Sequence, residues 1–343
     1  MIEFLGTGSA RPTKERNVSS LLLHHAKASF MFDCGDGTLR QLINSPIATP
    51  TRIEAIFITH LHSDHYYGLP GVSVAFRETE DESGYEFDTV KKRPVFSPRG
   101  LKSRMGRLLE RQLNIEEFGT GKMEKSGVHY DNNLPLENHV IYENQYLQIA
   151  AFFIHHAIPS AAYIVREKPT RILDLDLLKQ KYNMPPSPLY AQLQRGLSVT
   201  FNGRNVKPEE VSQELSGRCI AILGDTCNPN GLIPYIEGCD VVVHEATGLE
   251  MDKTSILQKF HSTGAMAGQF AKRVKTKQLI LNHFSPRETM AGLPCSEADY
   301  QKRILEEARE AAGSDIKVTA AYDHMAFSIP RKRERNAHFN RAM

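Results

Sequence analysis

One hexapeptide constrains this chain more than anything else in it: His60-Leu61-His62-Ser63-Asp64-His65, set directly after the apolar, β-branched run Ile53 to Ile58. Four metal-capable side chains fall within six positions. Imidazole nitrogens suit zinc, and a carboxylate can complete or bridge such a site. In extended chain His60 and His62 point the same way, because side chains alternate across a strand. Asp64 and His65 can then turn toward a second ion. A single mononuclear site has no need of four ligands so close together. The alternative is a solvated turn with satisfied histidines. A lone His-x-His pair reads that way, whereas the full pattern behind an apolar strand reads as a metal site.

Other apolar runs end in the same manner. Leu147 to Ile154 runs into His155-His156, Cys219 to Leu223 into Gly224-Asp225-Thr226, Val241 to Val243 into His244, and Gln278 to Leu281 into Asn282-His283. Ligands gathered at one rim of a sheet scaffold are how a rigid site is built from distant sequence. His156, Asp225 and His283 can therefore complete two coordination shells. Adjacent residues in a strand face opposite sides, so only one of His155 and His156 should ligate, and spacing alone does not choose between them.

The rest of the chain has the punctuation of an α/β domain. Strands are expected at Ile2 to Leu5, Ser20 to His24 and Phe30 to Phe32, a turn at Cys34-Gly35-Asp36-Gly37, and a short helix from Thr38 to Ile43. Residues 78 to 93 read as a charged surface loop, and Leu101 to Leu113 as a basic helix. Thr263 to Val274 has helical spacing, with Met266, Ala267, Phe270, Ala271 and Val274 on one side. Between 167 and 214 periodicity weakens and Pro185, Pro186 and Pro188 cluster, so this segment reads as an insertion that leaves the main core. The expected organisation is one domain over 1–330, carrying that insertion, followed by a basic tail at 331–343.

Composition limits the function classes. The 343 residues are 41% hydrophobic, enough for a buried core without disulfide staples. The five cysteines are odd in number and form no Cys-x-x-Cys pair, which suits a reducing compartment. A signal peptide and a membrane span, which needs about 18 apolar residues, are not expected. The expectation is a soluble protein with no membrane partner, cytoplasmic, or also nuclear in a eukaryote. A net charge of +2 neither requires nor excludes a nucleic-acid partner.

These residues resemble the metallo-β-lactamase superfamily and, within it, the tRNase Z (ribonuclease Z) family in its short form, from about residue 2 to Pro330. Pro12-Thr13-Lys14-Glu15-Arg16-Asn17 resembles the family's PxKxRN loop, and Phe32-Asp33-Cys34-Gly35-Asp36-Gly37-Thr38 its FDCGEGT motif. His244-Glu245-Ala246-Thr247 matches HEAT, His261-Ser262-Thr263 matches HST, and His283-Phe284-Ser285-Pro286-Arg287 matches HFSxR. General superfamily members share the His/Asp core but not these three together. The resemblance implies an αββα four-layer sandwich whose insertion is a flexible arm gripping tRNA. Met184-Pro185-Pro186-Ser187-Pro188-Leu189-Tyr190 resembles the arm's PPGPxY segment, with Ser187 in place of Gly. Ala161-Ala162 and Glu288 also depart from the family pattern, and they bear on substrate positioning rather than on ligands.

By that resemblance His156, which opens a stretch like the family's HxxPSxGY, is the ligand rather than His155. One zinc takes His60, His62 and His156, the other takes Asp64, His65 and His283, and Asp225 bridges. Two zincs per chain would activate water and clamp a phosphodiester. Asp64 would orient that water or take its proton, and His261 would protonate the departing ribose oxygen. Glu245 would fix the tautomer of His261, and Asp33 would support the metal ligands from behind. Lys14, Arg16, Ser262 and Thr263 are candidate phosphate contacts, with an N-cap as the other reading for the last two. Lys168, Arg171, Lys179, Lys181 and Arg195 are weaker candidates. The implied activity is removal of 3′ trailers from precursor tRNA, leaving a 3′-hydroxyl, by a homodimer. The competing readings are another binuclear-zinc phosphodiesterase or thioesterase, and a catalytically silent tRNA-binding protein.

Overall fold

The computed structural model describes residues 1–26, 28–81, 92–119, 139–287, 289–290 and 293–330. Two seven-stranded sheets dominate it. In the first, the order is Ala326–Phe327, Ile2–Gly6, Ser20–His25, Ala28–Phe32, Ile53–Phe57, Arg93–Pro98, Leu113–Phe118. The early strands pair antiparallel, and from Ala28–Phe32 onward the pairing is parallel. In the second, the order is Lys317–Ala320, Gln278–Asn282, Val241–Glu245, Cys219–Leu223, Ser160–Glu167, Leu147–Ile154, Val140–Glu143.

Both faces of the central strands are buried, which is why they read as continuous apolar runs rather than as alternation. Met31, Ile56 and Val95 lie on the side covered by helices, clustering with Leu42, Leu69, Val72, Phe76, Leu101 and Leu109. Phe32, Phe57 and Phe96 face the other way and meet the second sheet. Tyr163 there packs against Phe57 at 5.4 Å and Phe32 at 5.6 Å, and its hydroxyl donates to the carbonyl of Ile58 at 2.5 Å. Helices Gly264–Val274 and Glu297–Ala312 cover the outside of the second sheet. Helix, sheet, sheet and helix make the αββα sandwich expected for the fold.

The two outer helices approach closely because Gly264 and Gly268 sit at their crossing. A Cβ on Gly268 would stand 2.3 Å from the carbonyl oxygen of Ala308. Only glycine fits there.

Several boundaries differ from those read in the sequence. The helix expected over Leu101 to Leu113 ends at Leu109, and a strand starts at Leu113. The supposed loop at 78 to 93 continues the helix Leu69–Asp81 and ends in the strand Arg93–Pro98, while residues 82–91 lie outside the described residues. Val241 to Val243 extends as a strand through Glu245, every residue of it buried. The basic tail at 331–343 and Glu288 also lie outside the described residues.

By their contacts the described residues fall into two compact units, one within 1–142, 149–165 and 220–329, the other within 143–148 and 166–219. The second unit has its own apolar core of Leu173, Leu178, Tyr182, Met184, Leu193, Val199, Val206 and Val211. Helices Leu175–Tyr182 and Leu189–Gln194 and two small antiparallel strand pairs supply it. The carboxylate of Glu167 receives the guanidinium of Arg218, closing the neck of this insertion.

Candidate metal centre

Every strand that ends in a candidate ligand delivers it to one place. The hexapeptide leaves the strand Ile53–Phe57 extended through His62, then turns into the short helix Ser63–Tyr66, which carries Asp64 and His65. Donor atoms of His60, His62, His156 and Asp225 all lie within 4.8 Å of one another, as do those of Asp64, His65 and His283. Asp225 Oδ2 touches both groups, at 3.5 Å from His60 Nε2, 3.5 Å from His65 Nε2 and 3.4 Å from His283 Nε2. His155 is not among them: its ring stacks on Phe260, outside the cluster. His244 also turns away, packing on Phe270 behind the second sheet.

The hydrogen bonds behind these rings decide where their lone pairs point. Asp33 accepts from the amide of Thr59 at 2.7 Å, from its hydroxyl at 2.9 Å and from His65 Nδ1 at 2.7 Å. The Thr59 hydroxyl, having donated to Asp33, can only accept from His60 Nδ1 at 3.0 Å. His156 Nδ1 donates to the carbonyl of Phe260 at 2.9 Å. The Thr247 hydroxyl donates to Glu245 at 2.5 Å and so accepts from His283 Nδ1 at 3.2 Å. These partners hold a proton on Nδ1 of four imidazoles and leave each Nε2 turned inward.

Those inward nitrogens crowd together. His65 Nε2 stands 3.2 Å from His283 Nε2, and His62 Nδ1 stands 3.0 Å from His60 Nε2 and 3.2 Å from His156 Nε2. Ring nitrogens facing each other this closely need a shared proton or a metal cation between them. Partners that fix ring orientation from behind are the usual companions of metal-binding histidines. The donor set, two imidazole-rich groups joined by a carboxylate, is one that zinc accepts. The residues present fit a pair of metal ions.

Backbone strain marks the same place. Asp33 and His283 both have φ in the left-handed region, at 57° and 59°. Such conformations persist where the surroundings over-determine them, and they concentrate at functional sites. Gly35 lets the Asp64 turn close, since a Cβ there would lie 2.2 Å from the carbonyl oxygen of Asp64.

Electrostatics separate the roles. Burial drives His60 well below its ordinary range, reinforced by the neighbouring His65. Burial also acts downward on His62 and His156. His65 is instead raised, because Asp225, Asp33 and Asp64 together outweigh its burial. The Asp64 and Asp225 carboxyls are held low, burial opposing and the histidines prevailing. His261 sits beside the cluster, Nδ1 at 3.1 Å from each oxygen of Glu245. Burial works against its charge, but the Glu245 carboxylate lifts it to about 9.

Several residues singled out in the sequence are engaged within the fold. Arg16 is buried. It donates to the Thr7 hydroxyl at 2.5 Å, to the carbonyl of Ala321 at 2.7 Å and to Gln301, and lies over the ring of Phe284. The Ser262 hydroxyl donates to the carbonyl of Thr226 at 2.6 Å. Thr263 caps the helix Gly264–Val274 by accepting from the amide of Met266. Lys14 is exposed. In the insertion, Lys168 pairs with Glu143, Arg171 with Glu214 and Lys181 with Glu210. Sequence reasoning missed Thr59 and Thr247, which set the tautomers, and the amide of Ala10, which donates to Asp64 Oδ2 at 2.7 Å. Thr247 closes the HEAT motif, and that is the one signal that could have found it.

The chain is 32% identical over 337 residues to the ribonuclease Z of Bacillus subtilis, covering 96% of this chain and 98% of that protein. It is 35% identical over 344 residues to the ribonuclease Z of Anoxybacillus flavithermus, covering 96% and 97%. Among solved structures, human tRNase Z, short form, superposes with a TM-score of 0.62 at 26% identity, over 96% of this chain and 99% of that one. The metallo-β-lactamase fold protein YhfI of Bacillus subtilis superposes with a TM-score of 0.61 at 13% identity, over 94% and 97%, which bears on the fold. A family model described as Anti-Pycsar protein Apyc1 matches residues 1–161.

Proposed function

The chain belongs to the ribonuclease Z family and is a tRNA 3′-processing endoribonuclease, and we propose that it cuts at a two-zinc centre held by His60, His62, Asp64, His65, His156, Asp225 and His283. The observation that carries this assignment is the single carboxylate oxygen of Asp225 lying within 3.5 Å of ring nitrogens from both donor groups. One group takes His60, His62 and His156, and the other takes Asp64, His65 and His283. When bound, the metal pair supplies Lewis acidity toward the phosphodiester and makes water nucleophilic near neutral pH.

The chain's own residues handle the protons. The Asp64 carboxylate, steadied by the Ala10 amide, orients the attacking water and accepts its proton. Attack forms a bond from water oxygen to phosphorus and breaks the bond from phosphorus to the ribose 3′ oxygen. His261 supplies the proton that oxygen needs. The Glu245 carboxylate raises its pKa and so favours the protonated ring, with Nδ1–H held by Glu245 and Nε2–H left to donate. The products are a 3′-hydroxyl and a 5′-phosphorylated trailer.

The insertion serves as a tRNA-binding arm. Its own core makes it a folded element rather than a loose loop. The reading also includes a homodimer in the cytoplasm. No helix among the described residues is long and apolar enough to cross a membrane. Another binuclear phosphodiesterase or thioesterase is not favoured, because relatives matching nearly the whole chain are ribonucleases Z.

The test is cleavage of a panel of tRNA precursors by wild type and by Asp64→Ala, with metal content measured on both. Wild type should cut each precursor to a 3′-hydroxyl end, and Asp64→Ala should not. A metal-loaded wild type that leaves every precursor intact would sink the assignment. Bound RNA with no bound metal would favour a silent tRNA-binding protein. Sedimentation of the purified chain tests the dimer.

A further inference from the structure

Two pairs of consecutive residues meet at the rim of the metal centre: His155-His156 and Phe260-His261. The second member of each turns inward, and those rings lie 5.0 Å apart. The first members meet outside the cluster, with ring centroids 5.6 Å apart and planes only 21° from parallel. A layer of reactive rings thus lies next to a layer of stacked ones.

The outer layer has features that packing does not explain. Phe260 is 37% exposed, although phenyl rings are ordinarily buried. Its φ of 60° lies in the left-handed region, where a bulky side chain is strained. Its carbonyl holds His156 Nδ1, so the backbone conformation is accounted for. The exposed ring is not, since any side chain could follow that carbonyl.

We propose that the Phe260–His155 ring pair is a stacking platform for the nucleobase bordering the scissile phosphate. This rests on the assignment of precursor tRNA as substrate. An exposed flat surface one residue from both His156 and His261 is where the base next to the cut arrives if its phosphate reaches the reactive rings. Single-stranded RNA is commonly held by unstacked bases laid on aromatic side chains. Stacking of that kind tolerates sequence, because every base has a π face. A processing enzyme acting on many tRNAs needs such tolerance at the cut.

The test pairs side-chain removal with base removal. Full-length wild type, Phe260→Leu and Phe260→Tyr are assayed on a precursor tRNA and on precursors made abasic at each nucleotide flanking the cut in turn. Phe260→Leu should raise KM roughly 5- to 150-fold, from the usual worth of one base–aromatic stack, and Phe260→Tyr should restore it. On one of the two abasic precursors wild type should show the same loss, and Phe260→Leu should add nothing to it. With 2-aminopurine at that nucleotide, wild type should quench its fluorescence on binding and Phe260→Leu should not. Two outcomes overturn the platform while leaving the substrate assignment intact: wild-type KM in Phe260→Leu, or a penalty that persists undiminished on both abasic precursors, as a role only in positioning His156 would give. Failure of wild type to cut any precursor overturns both.

Discussion

Asp33→Asn removes one charge and no volume, yet it should weaken metal binding by about 10- to 100-fold. The carboxylate answers donors on both of its oxygens: Oδ1 takes the Thr59 amide, and Oδ2 takes the Thr59 hydroxyl and His65 Nδ1. Asparagine offers one acceptor oxygen and one amino group. If its oxygen stays on the Thr59 amide, the amino group faces His65 Nδ1–H, donor against donor. His65 can relieve the clash only by moving its proton to Nε2, which removes the lone pair a metal requires. If the amide flips, the amino group faces the Thr59 N–H instead, and a backbone donor has no second tautomer. Either orientation leaves one buried donor unmet, at about 1–3 kcal/mol. At about 1.4 kcal/mol per decade that is roughly 5- to 150-fold, which agrees with the 10- to 100-fold typical for partners behind a metal ligand. Competition with a chromogenic chelator measures the affinity, and circular dichroism checks that the fold is intact. A folded Asp33→Asn protein that binds metal as tightly as wild type would refute the chain of reasoning from Asp33 through His65.

His261→Ala should lower kcat on precursor tRNA by roughly 10²- to 10⁴-fold, the usual contribution of a general acid, with metal content unchanged. An unaltered kcat removes His261 from the proposed proton transfer. Gly268→Ala should destabilise the fold by about 1–3 kcal/mol, the common cost of overpacking, because its Cβ would meet the Ala308 carbonyl at 2.3 Å. Urea titration reads this, and an unshifted midpoint contradicts the close helix crossing. Stripping the metal with a chelator should abolish cleavage and lower the melting temperature. Restoring metal to 100 times its Kd should return about 2.7 kcal/mol of stability, and equal melting with and without metal would show that the cluster is not a metal centre.

What could be read in the sequence is what residue type and period encode. The hexapeptide is local, so its candidate ligands are visible without a fold, and the strand ends near Ile154, Leu223 and Leu281 follow from apolar runs with sharp ends. Leu113–Phe118 was legible in principle: Leu113 and Ile115 are buried while Asn114 and Glu116 are exposed, a period of two directly after a period near 3.6. The insertion hid its core because its elements are three to eight residues long, too short for a period to emerge. Arg16 looked like a phosphate contact because its partners Gln301 and Ala321 lie 285 and 305 residues away, and nothing in a basic loop announces them. The parts of the centre that no sequence pattern could show are backbone atoms. The carbonyl of Phe260 orients His156 and the amide of Ala10 steadies Asp64, and every residue owns a carbonyl and almost every one an amide. Only the fold decides which of them reach a ligand. The candidate ligands of this site are therefore written in residue type, while the protons on them are set by threonines, by a second carboxylate and by the main chain.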